Sequence, residues 1–316
     1  MVRIRDVAGH AGVSTATVSR VLNGKQVRAD LAEAVHAAVA ELGYVPDRTA
    51  RSLRTGTTPV IALVVPDIAN PFFTSLARVV EDVAAAAGYS VVLCNTDDVA
   101  AKERGYLEIA LRQRMAGVIL APADASPDLG ALLAAGRAVV VIDRDVPEAV
   151  DRIAFDNEGL GRRATEALLR RGLTDIACIT GPESTSTARA RAAGWRAALA
   201  GAGIEPGPGR LTYANFRVDG GRAAAAGLLA SPRRPQAVLA TNNLVGVGTL
   251  QALAGAGEHG IAVGIIGDLP FATSDMSEVT LTPLRPEDLG RRAIERLLAR
   301  LRGEAGEPVR IVLPLQ

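Results

Sequence analysis

At 316 residues, 48% of them hydrophobic but only 3% aromatic, the chain exceeds one average domain and suits alanine-rich helices packed over parallel sheets. Its net charge of +1 says little by itself, but residues 1–58 carry eight Lys/Arg against five Asp/Glu and the rest 27 against 29, a basic head on a faintly acidic body that fits a polyanion. A charged start at Met1–Asp6 argues against a signal peptide. No run of about 18 apolar residues suggests a membrane span, so the cytoplasm and no membrane contact are expected. Cys94 and Cys178 sit in apolar runs with no CxxC or Cys/His cluster, which points to buried thiols and away from a metal or disulfides.

In chain order, Ile4–Ala11 reads as a short helix with Val7, Ala8 and Ala11 on one face. Gly12 breaks it, Val13 plugs the turn, and Ser14 caps a second helix, Thr15–Leu22, whose inward face is Val18, Val21 and Leu22. Gly24 ends that helix. A third, Asp30–Leu42, carries Leu31, Val35, Val39 and Leu42 at helical spacing. The outward face of the second helix is Thr15, Ala16, Thr17, Ser19 and Arg20. Short side chains let a helix enter a major groove, and an arginine there reaches guanine O6 and N7. A small bundle with a polar surface explains these residues equally well.

Pro46 stops the third helix, and Asp47 could cap a short helix, Arg48–Arg54, that is too brief to persist alone in water. Beyond it, strands are expected at Val60–Pro66, Ser90–Asn95, Gly117–Ala121, Ala138–Ile142, Asp175–Thr180, Ala237–Thr241 and Ile261–Ile266. Helices fall between them, as at Phe73–Ala87, Lys102–Arg114, Leu160–Arg171, Ala190–Ala202 and Val218–Ala230. This alternation implies doubly wound parallel sheets with ligands at the carboxyl ends of the strands. Gly255–Gly260 matches GxGxxG but follows a helix and precedes a strand, the wrong order for a dinucleotide site. No Walker loop, no triad around His10, His36 or His259, and no paired acid/base carboxylates are evident. A sugar hydrolase or kinase would need one of these, so an enzyme and a cofactor are not expected. Polar residues do follow strands: Asn70-Pro71-Phe72-Phe73, Asp143-Arg144, Asp156-Asn157 and Asn242, with Arg191 in the Ser184–Gly194 segment. Aromatic faces beside Asp, Asn and Arg suit a polyhydroxylated ligand. Loop capping and surface ion pairs would explain any one of them singly.

Several ordered segments resemble the DNA-binding head of the lac repressor (LacI/GalR) family: Ile4-Arg5-Asp6-Val7-Ala8, Ala11-Gly12-Val13-Ser14, Ala16–Gly24, Glu41-Leu42-Gly43-Tyr44 and Ala50–Arg54. From about Val60 to Pro314 the body is similar to the periplasmic sugar-binding-protein-like core of that family, notably its ribose-type members. The resemblance implies an all-α helix-turn-helix head at 1–46, a hinge at 47–58 and a two-lobed effector-binding and dimerisation domain at 59–316. It implies base contacts by Thr15, Ala16 and Arg20, phosphate contacts by Ser14, Thr17 and Asn23, and minor-groove contacts by Ala50 and Leu53, with Leu53 as a wedge. It puts Asn70, Phe72, Phe73, Asp143, Arg144, Arg191, Phe216 and Asn242 at ligand-contacting positions. Lobe one would comprise 59–156 and 284–303, and lobe two 157–283 and 304–316.

Four departures stand out. Arg28 replaces a serine cap, so the third helix is expected to begin at Asp30. Gly267 replaces a ligand-facing aspartate, and Leu284 replaces a glutamine. The chain stops at Gln316 with no appended heptad helix, so tetramers through such a tail are not expected. Loss of a carboxylate leaves Arg144 and Arg191 less compensated, which favours a less hydroxylated or acidic ligand such as a sugar phosphate, a sugar acid or a nucleoside-like compound. Alternatively the local alignment is shifted and Asp268 fills the role. The sequence reads as a homodimeric transcriptional regulator, most simply a repressor, that binds a near-palindromic double-stranded operator under control of a small sugar or sugar derivative. The alternative is a family regulator with a degenerate pocket controlled by a protein partner.

Overall fold

The computed structural model describes residues 2–22, 26–44, 56–123, 125–269, 278–304 and 306–315. Asn23, Ala50, Leu53 and the expected helix Arg48–Arg54 lie outside them. The chain divides into two compact units, Met1–Thr58 and Pro59–Gln316.

The first unit is a bundle of α1 (Ile4–His10), α2 (Thr15–Leu22) and α3 (Ala29–Leu42). Val7, Val18 and Val35, one from each helix, are fully buried and share a core with Ala8, Val21 and Ala38. Ser14 Oγ accepts a hydrogen bond from Thr17 N at 3.1 Å, satisfying one of the orphan amides at the start of α2. Gly12 and Gly43 take positive φ of 64° and 57°, which lets the chain reverse after α1 and terminates α3. α3 begins at Ala29, one residue before the expected Asp30. Arg28 occupies its N-cap without a side-chain cap; its guanidinium instead forks onto the Asp30 carboxylate, with Nε to Oδ1 at 3.0 Å.

The second unit holds two sheets. The first, in the order β11-β5-β4-β3-β1-β2, is built from β1 (Thr58–Val65), β2 (Ser90–Asn95), β3 (Met115–Leu120), β4 (Ala138–Ile142), β5 (Asp151–Phe155) and β11 (Arg310–Leu313). α4 (Pro71–Ala86) and α11 (Pro286–Leu301) pack together against it, and α5 (Ala100–Arg112) and α6 (Gly130–Ala134) complete this lobe. The second sheet, β10-β9-β8-β6-β7, uses β6 (Ile176–Thr180), β7 (Leu211–Tyr213), β8 (Ala237–Ala240), β9 (Ala262–Ile266) and β10 (Val279–Thr282). Its helices are α7 (Asn157–Leu169), α8 (Ser186–Gly201), α9 (Val218–Ala230) and α10 (Asn243–Gly255). All recorded strand pairings are parallel.

The central strands of each sheet are covered on both faces, and the alternation of side chains shows it. Ile61, Leu63 and Val65 of β1 join one core with Leu76 of α4 and Ile294 of α11, while Ala62 and Val64 join another with Leu107 of α5 and Leu132 of α6. Ile176 and Cys178 of β6 face Leu168 and Trp195, and Ala177 and Ile179 face Leu228 and Val245. Burial on both faces is why these strands read as unbroken apolar runs.

Sequence pattern does not flag β5, β7, β10 or β11. They are three to five residues long, and β5 opens on a charge. Asp151 is fully buried there, and its carboxylate accepts from Arg296 Nη2 (3.0 Å), Arg300 Nε (2.6 Å) and Val309 N (2.9 Å). That cluster corrects the expected lobe boundary. Residues 304–316 do not pass to lobe two at 303/304: β11 runs beside β5 in the first sheet, Arg310 opposite Arg152 through Leu313 opposite Phe155. The Asp151 cluster fixes β5 to both α11 and the approach to β11, so these segments stay together. Gly255 ends α10 and residues 256–261 link it to β9, the helix-to-strand order that excludes a dinucleotide turn.

Candidate functional sites

The outward face of α2 is the first site. Ser14, Thr15, Ala16 and Arg20 are exposed, while Val18 and Val21 hold the opposite face in the core. The Ser14 and Thr17 hydroxyls bond one another at 2.9 Å, so both are pinned at the start of the helix. Arg20 is the one long, charged side chain on the helix.

The second site is a cleft at the carboxyl ends of the strands in the second unit, with a cavity volume of about 280 Å³, just below the usual range of roughly 300–1,000 Å³ for small-molecule pockets. The structure brings together all eight expected residues, Asn70, Phe72, Phe73, Asp143, Arg144, Arg191, Phe216 and Asn242, on its walls. From the first lobe, Asn70 caps α4 by accepting from Phe72 N at 3.0 Å. It is 6% exposed, and its amide nitrogen has no hydrogen bond among the described residues. Pro71 at the first helical position, whose missing N–H costs nothing there, sets the entry angle. Phe72 and Phe73 then stand edge to face at 5.0 Å, and Phe72 also meets Phe155 at 6.4 Å.

Asp143 and Arg144 follow β4. Asp143 adopts φ of 65°, and its carbonyl accepts from Thr187 of α8 at 3.0 Å, a link between the lobes. A second link runs from Asp145 N to Ser186 Oγ at 3.1 Å. Arg144 Nη1 donates to Asp98 Oδ1 and to the Pro122 carbonyl, both at 2.7 Å.

From the second lobe, α7 and α8 cross backbone to backbone. A Cβ on Gly161 would lie 2.0 Å from the Arg191 carbonyl oxygen, and one on Gly194 would lie 1.9 Å from the Glu158 carbonyl oxygen. This close approach seats Arg191, only 4% exposed, at the cleft. Its Nε donates to Asn157 Oδ1 (2.9 Å) and its Nη1 to the Thr241 carbonyl (2.6 Å), leaving Nη2 without a partner among the described residues. Burial pulls its pKa down to about 10, with Asp143 opposing and Arg144 adding to the fall. Asn242 is committed at both ends of its amide: Oδ1 caps α10 from Val245 N (2.7 Å), and Nδ2 holds the Phe216 carbonyl (3.1 Å). It positions the Phe216 ring, which leans on Gly181 where no side chain would fit.

The cleft also contains residues the sequence reading passed over, Asp67, Asp98, Thr187 and Glu287, together with Asp268. Asp67 and Asp98 follow β1 and β2, so the strand-end rule that found Asp143 would have found them. Gly267 has φ of 111°, a backbone that L side chains rarely adopt, so a side chain there would be strained, and Asp268 beside it also lines the cleft. Burial, together with Glu287, raises the Asp268 pKa. Leu284 lines the cleft as expected from its position. Among the described residues, the cleft wall carries Asp67, Asp98, Asp143, Asp268 and Glu287 alongside Arg144 and Arg191, and Arg217 reaches Asp67 at 3.8 Å.

Comparison with known proteins identifies this arrangement. A family model described as periplasmic binding proteins and sugar binding domain of LacI family matches residues 58–314, and one described as bacterial regulatory proteins, lacI family, matches residues 3–47. The chain belongs to the LacI family. It is 35% identical to the ribose operon repressor of Escherichia coli (strain K12) over 308 residues, 95% of this chain and 93% of that protein. Among solved structures, a transcriptional regulator CelR–cellobiose complex is 33% identical with a TM-score of 0.74, covering 99% of this chain and 97% of that one. A lac repressor dimer bound to operator and the anti-inducer ONPF is 26% identical with a TM-score of 0.83, covering 99% and 96%. As a LacI-family member the chain is a DNA-binding transcriptional regulator, with its helix-turn-helix in the first unit and an effector-binding, two-sheet body in the second. No helix among the described residues is long and apolar enough to cross a membrane.

Proposed function

We propose that the protein is a homodimeric, cytoplasmic repressor that binds a near-palindromic operator and is switched by a sugar-type effector held between its two lobes. The observation that carries this reading is the cleft itself. Aromatic faces (Phe72, Phe73, Phe216) lie beside carboxylates and a buried arginine with a spare donor, and both lobes contribute. Carboxylates accept hydroxyl protons, the Asn70 amide nitrogen and Arg191 Nη2 donate to hydroxyl or ring oxygens, and the rings cover C–H faces. The names of its relatives point the same way, to a ribose operon repressor and a cellobiose complex.

On DNA, Arg20 with Thr15 and Ala16 would read base edges from the exposed face of α2, with Ser14, Thr17 and Asn23 on phosphates and Ala50 and Leu53 in the minor groove. Dimerisation is supported by apolar side chains left in water at and beside the edge strand β2, namely Ile68, Val92, Leu93 and Val99, each 41–45% exposed.

Selection of binding sites from a random duplex pool, followed by anisotropy titration with and without D-ribose and other sugars, tests this. The expected result is a near-palindromic consensus whose affinity at least one sugar changes. Binding without sequence preference would refute it. Arg20→Ala is expected to weaken the selected site by about 1–3 kcal/mol per half-site and to relax preference at one position.

A further inference from the structure

Arg144 is 8% exposed and its charge is already countered by two carboxylates, although its Nε and Nη2 make no hydrogen bond among the described residues. Its Nη1 is shared between Asp98 Oδ1 and the Pro122 carbonyl, and Asp143 Oδ2 lies 3.9 Å from its Nε. Asp98 holds this position at φ of 58°, in the left-handed region where most side chains are strained. Strained backbone that persists beside a ligand cleft is commonly retained for what its side chain does there. The other cation of the cleft, Arg191, spends two of its three nitrogens on Asn157 and Thr241. The remaining charges on the walls are Asp67, Asp268 and Glu287.

We propose that Asp98 sets the charge selectivity of the cleft: by neutralising the charge of Arg144 it weakens that cation's pull on anionic ligands, so the cleft selects an uncharged sugar over its phosphate ester. This deepens the sugar-effector reading and rests on it. A phosphate entering the cleft would meet an arginine already paired and carboxylates that repel it. Hydroxyl groups would meet acceptors of the right kind. Without the Asp98 carboxylate, Arg144 Nη1 keeps only the Pro122 carbonyl and can turn to an incoming anion.

The test is calorimetry on the full chain with two probe pairs, D-ribose against D-ribose 5-phosphate and D-glucose against D-glucose 6-phosphate. Wild type, Asp98→Gly and Asp98→Asn are compared. Glycine suits the positive φ, so Asp98→Gly removes the carboxylate while relieving the backbone, and the fold is expected to survive. In wild type the uncharged member of the binding pair is expected to bind at least ten-fold tighter than its ester. Both variants should shrink that ratio at least ten-fold, chiefly by tighter ester binding. Wild type that prefers the ester, or a ratio unchanged in both variants, overturns the proposal while leaving a sugar sensor in place. Binding of no member of either pair removes the sugar reading and this proposal with it.

Discussion

Two buried charges, one in each lobe, are satisfied in opposite ways. Asp151, at the start of β5, is enclosed by Arg296, Arg300 and the Val309 amide, all far along the chain and none of them on the wall of the cleft. Arg191, on α8, is held by a neutral amide and a carbonyl, with no carboxylate in direct contact and one nitrogen left over at the cleft. A charge compensated on every side can only brace the fold. A charge oriented by neutral partners keeps its donors for a ligand, at the cost of a depressed pKa. The same contrast separates the root of the first sheet, which fastens α11 and β11, from the strand ends where ligand chemistry gathers.

Breaking that comparison should be most visible at Asp151. Asp151→Ala leaves two arginines without their anion and an amide without its acceptor, and loss of one partner of a buried pair costs about 3–5 kcal/mol. Urea denaturation of the variant is expected to show a loss near the lower end, because both arginines keep some access to water. A change under 1 kcal/mol would mean the cluster is not a brace.

Arg191→Met should behave in the opposite manner. It should weaken binding of whichever sugar the wild type binds by about 100-fold, equivalent to about 2.7 kcal/mol. Its effect on stability should be smaller than that of Asp151→Ala, since only two neutral acceptors lose a donor. Equal losses in both readouts would make Arg191 another brace.

The acid limb of stability sharpens the contrast further. Burial alone would raise the Asp151 pKa, but hydrogen bonds from Arg300, Arg296 and Val309 hold it below the ordinary value. A carboxylate depressed in the folded state contributes stability that is full above its unfolded pKa of about 3.9 and is lost as pH falls through the folded value. Wild type is therefore expected to lose stability more steeply than Asp151→Asn below about pH 4. Parallel curves from thermal melts across that window would contradict the assignment.

The smallest effect is expected at the mouth of the cleft. Arg217 of the second lobe reaches Asp67 and Asp97 of the first, each at 3.8 Å and partly exposed. Such loose pairs contribute about 0–1 kcal/mol. Arg217→Ala should change sugar affinity no more than a few-fold, and the difference should vanish in high salt. A larger, salt-independent change would make Arg217 a ligand contact.

The strand–helix alternation, the doubly wound sheets and the head were legible because their signals are local: apolar runs, a serine cap, glycines at turns. The eight cleft residues were legible through resemblance and the strand-end rule together. What escaped depends on contacts between distant residues. β5 was hidden because Asp151 looks like a surface charge until Arg296 and Arg300, about 150 positions away, are beside it. The carboxylate beside Arg144 escaped because Asp98 meets it across 46 positions, and no local pattern announces that pairing. Whether Gly267 marks a lost carboxylate or Asp268 takes its role was not legible from sequence, because neither its φ of 111° nor the placement of Asp268 on the cleft wall has a local signal.

The central claim is that a sugar in this cleft controls the hold of α2 on DNA. It is tested most directly by measuring affinity for the selected duplex with and without the bound sugar, in wild type and in Arg191→Met. The account predicts a sugar-dependent change of roughly 5–150-fold in wild type, the range of typical coupling of 1–3 kcal/mol. In the variant it predicts unchanged affinity for bare DNA and no response at sugar concentrations that saturate the wild type. A response that survives in Arg191→Met, or wild-type DNA binding that no cleft ligand alters, would contradict it.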